Sequence, residues 1–161
     1  MTNQYPVVLA DPPWSYPGTQ TGWAAAAKHY DTMPDDQLLE FPIRDHFDPQ
    51  GVLFMWATGP RLDFAMECIR AWGLHHRGVA FVWVKTTKND IPFKARGIRP
   101  SIVKPITEFV IAASGKKTGK PLPLASESVV QTVFAPLREH SRKPPEVQER
   151  IEQMYPTLPK L

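Results

Sequence analysis

Short uninterrupted apolar runs alternate along this chain with stretches whose apolar residues recur every three or four positions. Val7-Val8-Leu9-Ala10 is the first run, and it breaks at Asp11-Pro12-Pro13. Proline cannot extend a sheet ladder, so this reads as a buried strand stopping at a loop. Gly51 to Trp56, Val79 to Val84, Glu108 to Ala113 and Val129 to Phe134 predict four further strands. Between the first two runs, Ser15 to Lys28 carries Gly18, Gly22 and the small residues Ala24 to Ala27, which predicts a mobile loop. Thr32, followed by Pro34, Asp35 and Asp36, predicts a helix with a capping side chain and early acids, running to about Glu40. From Arg61, the residues Leu62, Ala65, Met66, Ile69 and Trp72 fall at helical spacing before Gly73 stops them. Lys143-Pro144-Pro145-Glu146 opens a last helix to about Met154, with Val147, Ile151 and Met154 facing inward.

Strands and helices in alternation, with strands apolar throughout, predict an α/β domain: a mainly parallel sheet with helices on both faces. At 161 residues and 42% hydrophobic composition, residues 1–161 suit one domain with a real core. Open sheets of this kind bind ligands beyond the carboxyl ends of their strands, and Asp11 stands at such an end. No run approaches the ~18 apolar residues of a membrane span, and Met1 to Pro6 lacks a signal-peptide pattern, so a soluble cytoplasmic protein is expected. Cys68 is the lone cysteine, which excludes an internal disulfide, and its apolar neighbours predict a buried thiol. His29, His46, His75, His76 and His140 show no metal-ligand spacing, so no metal is expected. His75-His76 is expected to cap a helix end at the surface, while Trp56, Trp72 and Trp83 are expected in the core.

Formal charge is +3 and the sequence pI about 9.1, which admits a nucleic-acid partner without requiring one. Its distribution is more informative. Lys85, Lys88, Lys94, Arg96, Arg99 and Lys104 stand against one acid, Asp90, in a stretch broken by Pro92, Gly97 and Pro100. This is a basic loop, suited to phosphates or simply solvated. Gly115 to Pro123 reads as a connection within the domain.

Candidate chemistry centres on Asp11-Pro12-Pro13-Trp14. An amine conjugated with an aromatic ring, such as the exocyclic amine of a nucleobase, is nucleophilically poor, so a catalyst acting on it must localise the nitrogen lone pair. A carboxylate at a strand end can accept one amine hydrogen, the Pro12 carbonyl can accept the other, and the prolines fix the turn. Trp14 can stack on a base. Alone, the tetrapeptide also fits an ordinary turn over a buried tryptophan.

Together, Val8-Leu9-Ala10-Asp11-Pro12-Pro13-Trp14, His29-Tyr30-Asp31-Thr32-Met33, Leu53-Phe54-Met55-Trp56-Ala57-Thr58, Trp83-Val84-Lys85-Thr86 and Ser141-Arg142-Lys143-Pro144 closely resemble the adenine-amine methyltransferases of the seventy-kilodalton methyltransferase-A subunit family. That family includes the catalytic subunit of the eukaryotic messenger-RNA adenosine methyltransferase and short bacterial and phage DNA methyltransferases. The resemblance implies a Rossmann-like fold, S-adenosylmethionine as cofactor and adenine in nucleic acid as substrate, DNA favoured over RNA. It implies that Asp11, Pro12, Pro13 and Trp14 are catalytic, with Asp11, Pro12 and Lys143 also at the cofactor. Tyr30 and Lys85 would meet the substrate beside the basic residues Lys94, Arg96 and Arg99. A homodimer or a partner subunit is compatible with the resemblance, and a noncatalytic nucleic-acid-binding or partner subunit of the same fold is the competing role. No GxGxxG sequence follows a strand, as expected for a cofactor without a pyrophosphate. The family normally continues past Pro159-Lys160-Leu161 with a strand and polar residues that hold the cofactor ribose, so the domain is expected to lack that segment.

Overall fold

The computed structural model describes residues 3–16, 31–89, 91–92, 94, 102–139 and 142–161. Five strands, β1 (Tyr5–Ala10), β2 (Phe47–Thr58), β3 (His75–Thr86), β4 (Thr107–Ser114) and β5 (Thr132–Pro136), form a single sheet in the order β1-β2-β4-β3-β5. β1 pairs with β2 and β3 with β5 in parallel, whereas β4 runs antiparallel to both β2 and β3. The sheet is therefore mixed, which corrects the expectation of a mainly parallel one. The cause lies in the connection between β3 and β4. Parallel neighbours need a crossover, usually a helix, and among the described residues between Thr86 and Thr107 there is none.

Both faces are covered. Side chains alternate along a strand, so Leu53, Met55 and Ala57 of β2 face one way and Val52, Phe54 and Trp56 the other. The first set packs with Ile111 and Ala113 under Leu38 of α1 (Asp35–Leu39) and Phe64, Ala65, Cys68 and Ile69 of α2 (Leu62–Ala71). The second packs with Phe81, Trp83, Val110 and Val133 under Val147 and Ile151 of α3 (Pro145–Met154). Trp56, Trp72 and Trp83 are buried as expected. Cys68 is fully enclosed, and burial pushes its thiol up to about 11.

Several boundaries differ from those expected. His75 and His76 open β3 rather than capping α2, because Gly73 with φ 67 ends the helix and turns the chain at once into the sheet. Thr32 does not cap α1: Pro34 holds that place, with no side-chain capping bond. The fifth strand starts three residues later than its apolar run, at Thr132. At the other edge, the Leu161 N–H donates to the Val7 carbonyl at 3.1 Å and the Leu9 N–H to the Leu161 carbonyl at 2.9 Å, so the last residues lie parallel beside β1.

Candidate active site

β1 delivers Asp11 to the carboxyl end of the sheet, and the next three residues form a tightly bonded turn. The Trp14 N–H donates to the Pro12 carbonyl at 2.8 Å and the Met33 N–H to the Pro13 carbonyl at 2.9 Å. Prolines supply these acceptors while fixing their own φ, so the turn is held from both sides. The Pro12 carbonyl keeps one lone pair for a further donor. The Trp14 indole N–H reaches the Trp56 carbonyl at 3.2 Å, and its ring is 4% exposed, edge-on to Phe64 with centroids 6.1 Å apart. The structure thus seats Trp14 as a wedge beneath the loop, not as an open platform.

Asp11 belongs to a chain of four alternating charges. Its Oδ1 lies 3.5 Å from the Lys143 Nζ, the same ammonium meets Glu108 Oε2 at 2.9 Å, and Glu108 Oε1 meets the Lys85 Nζ at 2.8 Å. The lysines lie over aromatic rings, Lys85 at 5.2 Å from Trp83 and Lys143 at 5.4 Å from Trp56. Burial raises the proton affinity of Asp11 above that of an ordinary aspartate; Lys143 opposes this and Glu108 adds to it. Burial acts against ionisation of Glu108 too, yet Lys143 and Lys85 outweigh it and hold that carboxyl below its usual range. Asp11 is half-exposed and Glu108 nearly enclosed, so only the first is free to meet a ligand.

On the other side of Asp11 opens an apolar pocket of about 180 Å³, lined by Ala10, Asp11, Pro12, Pro13, Met33, Leu38, Phe41, Ile43 and Trp72. The site therefore offers an apolar slot, a carboxylate and a held cation in sequence along the strand ends. Of the expected substrate residues, Lys85 is tied to Glu108 instead of being solvated, and Lys94 is exposed. Tyr30, Arg96 and Arg99 lie outside the described residues, as does most of the loop expected from Ser15 to Lys28. One residue that sequence reasoning passed over, Glu108, belongs to the site, and a second, Arg61, lies behind it with its guanidinium 5.8 Å from the Trp14 ring centroid. Their signal was present, since a charge opening the apolar run Glu108-Phe109-Val110-Ile111, or preceding an apolar helix face, is costly unless paired.

The profile of the MT-A70 family matches residues 5–161. The chain belongs to the MT-A70 family. Among its relatives is Type II methyltransferase M.MunI of Mycoplasma sp, 29% identical over 175 residues that cover 98% of this chain and 70% of that protein. The N(6)-adenosine-methyltransferase catalytic subunit METTL3 of Homo sapiens is 26% identical over 160 residues, 98% of this chain but 25% of its own length. A probable N(6)-adenosine-methyltransferase MT-A70-like protein of Oryza sativa subsp. japonica is 26% identical over 159 residues, 98% of this chain and 20% of that protein. The MT-A70 chain thus spans most of the first relative and about a quarter or less of the other two. Among its described residues no helix is long and apolar enough to cross a membrane.

Proposed function

We propose that this MT-A70 chain is an S-adenosylmethionine-dependent methyltransferase, Rossmann-like in frame, that acts on the exocyclic amine of adenine in nucleic acid, with DNA favoured over RNA. The observation that carries the reading is Asp11: a half-exposed carboxylate at a strand end, between an apolar pocket and Lys143. When bound, S-adenosylmethionine supplies an electrophilic methyl group on a sulfonium. The residues present fit it. The pocket lies below the ~300–1,000 Å³ of whole-ligand sites, so it suits a ring rather than the entire cofactor, and Lys143 suits a carboxylate. A ligand carboxylate there would exchange with the 3.5 Å contact of Lys143 to Asp11, which is longer than its 2.9 Å contact to Glu108, leaving Glu108 to hold the ammonium.

Asp11 then accepts one hydrogen of the target amine, and the second lone pair of the Pro12 carbonyl accepts the other. With both hydrogens held, the nitrogen lone pair is directed out of the ring plane. Orientation contributes most to the rate, and fixing both reactants is worth up to ~7–11 kcal/mol. Trp14 contributes from below, keeping the turn in register. Tyr30, Lys94, Arg96 and Arg99 are assigned to the nucleic acid: the tyrosine at the reactants, the cations at phosphates. A duplex substrate would have to extrude its adenine, at a few kcal/mol. The preference for DNA follows the resemblance to short bacterial and phage enzymes.

Calorimetric titration with S-adenosylmethionine, followed by incubation with labelled cofactor and matched adenine-containing DNA and RNA oligonucleotides, tests the reading. A measurable complex and label in DNA are expected. Label in RNA alone overturns the choice of polymer, and absence of a complex overturns the enzyme in favour of a noncatalytic subunit.

A further inference from the structure

Arg61 is an unusual residue for its position. It ends the turn that follows β2, where α2 begins to bury its apolar face, and its side chain is 8% exposed. Its Nη2 meets Asp35 Oδ1 at 2.6 Å, while its Nε is buried with no hydrogen-bond partner among the described residues. The guanidinium lies 4.3 Å from the Phe64 ring centroid and 5.8 Å from that of Trp14. A buried cation with an unsatisfied donor is expensive, and replacing such pairs by apolar groups often stabilises a protein. Stability alone therefore gives little reason for this arrangement.

Its connections suggest a different one. Asp35 Oδ1 also accepts the Ser15 hydroxyl at 2.9 Å, so a single oxygen ties the residue after Trp14 to the first residue of α1. Trp14 and Met33 are bridged directly, and the Tyr16 hydroxyl lies 2.9 Å from that of Thr58 at the end of β2. Both ends of the segment between Trp14 and Met33 thus converge on the Arg61–Asp35 pair. Only Pro12 and Pro13 separate Trp14 from Asp11. Two prolines cannot absorb a displacement by turning about φ, so a shift of Trp14 is passed on to the carboxylate.

We propose that Arg61 and Asp35 are positioning residues, a clamp that sets where Asp11 points by fixing Trp14 and Met33. The catalytic part of this inference rests on the methyl transfer proposed above; the mechanical part does not.

The test compares wild type, Asp35→Asn, Arg61→Met, the double variant and Arg61→Lys, by steady-state kinetics, thermal denaturation and amide hydrogen exchange. Misplacement of a reacting group by about 1 Å can cost ~100-fold, so kcat should fall at least about tenfold in each neutralised variant, with the KM for cofactor within about threefold. The amides of Trp14 and Met33 should exchange at least about tenfold faster, since their bonds to Pro12 and Pro13 open more often. The double variant, free of the unpaired buried guanidinium that Asp35→Asn leaves, should recover thermal stability over Asp35→Asn without regaining rate. Arg61→Lys, which keeps a cation beside Asp35, should recover part of the rate. Unchanged exchange at Trp14 and Met33 in all variants overturns the clamp whatever the rate, and faster exchange with wild-type kcat overturns its role in positioning. If wild type itself transfers no methyl group, the proposed function fails, and the exchange arm still decides the clamp.

Discussion

Asp11 and Glu108 share one ammonium, and burial disfavours ionisation of both, yet their proton affinities move in opposite directions. The difference, among the described residues, is the number of cations: Glu108 has two lysines, Asp11 one at longer range. Each shift has a measurable sign. Glu108 is held below its ordinary value of 4.5, so its contribution to stability is complete above that pH and is lost as pH falls through the folded-state value. The melting temperature of Glu108→Gln should therefore lie furthest below wild type above pH 4.5, with the gap closing in more acidic buffer; a gap independent of pH would contradict the pairing. Asp11 is shifted the other way, and the proposed reaction needs it ionised. The acid limb of kcat/KM should stand above an ordinary aspartate, and Lys143→Met, by removing the cation that opposes burial, should move it higher still. A limb that stays in place or moves down would remove either Asp11 or Lys143 from the reaction.

Among the elements, strands were the most legible in the sequence, since apolar runs such as Val52 to Trp56 belong to positions buried on both faces. Helices α2 and α3 followed from their spacing, and Ala65, Ile69, Val147 and Ile151 are buried where the pattern put them, whereas Leu62 is only partly so. Strand direction was not legible. A run such as Glu108 to Ala113 has the same composition whether its neighbours run with it or against it, and only the lack of clear periodicity between Lys85 and Lys104 hinted at the hairpin. That connection carries the basic residues. Lys85 is already committed to Glu108, and of the five basic residues that remain, Lys94, Arg96 and Arg99 form the central group. Reversing the charge of these three should weaken oligonucleotide binding for all sequences alike and flatten the dependence of log affinity on log salt by about one for each phosphate no longer neutralised. Unchanged affinity and unchanged slope would mean a loop that is merely solvated.

At the scale of the whole molecule, the tetrapeptide proposed as catalytic could be read from four adjacent letters, but its setting could not. Lys143 reaches Glu108 across 35 positions and Arg61 reaches Asp35 across 26, and no local pattern encodes such partners. What joins them is the sheet: β1, β3 and the connection before α3 bring Asp11, Lys85 and Lys143 to one end, and β4, running the other way, starts there with Glu108. The mixed topology that composition concealed is thus what places the second carboxylate between the lysines. Whether Asp11 directs methyl transfer to the adenine amine is decided by nucleoside mass spectrometry. DNA oligonucleotides incubated with S-adenosylmethionine and either wild type or Asp11→Asn are digested, and N6-methyladenine is quantified. Wild type should accumulate it. The variant, similar in shape but unable to accept as a carboxylate does, should lose at least ~3 kcal/mol of transition-state stabilisation, about 100-fold or more in rate, by analogy with a removed oxyanion donor. Turnover above about a tenth of wild type in Asp11→Asn, a loss of less than ~1.4 kcal/mol, or methyl groups found elsewhere than on the adenine amine, would contradict the account.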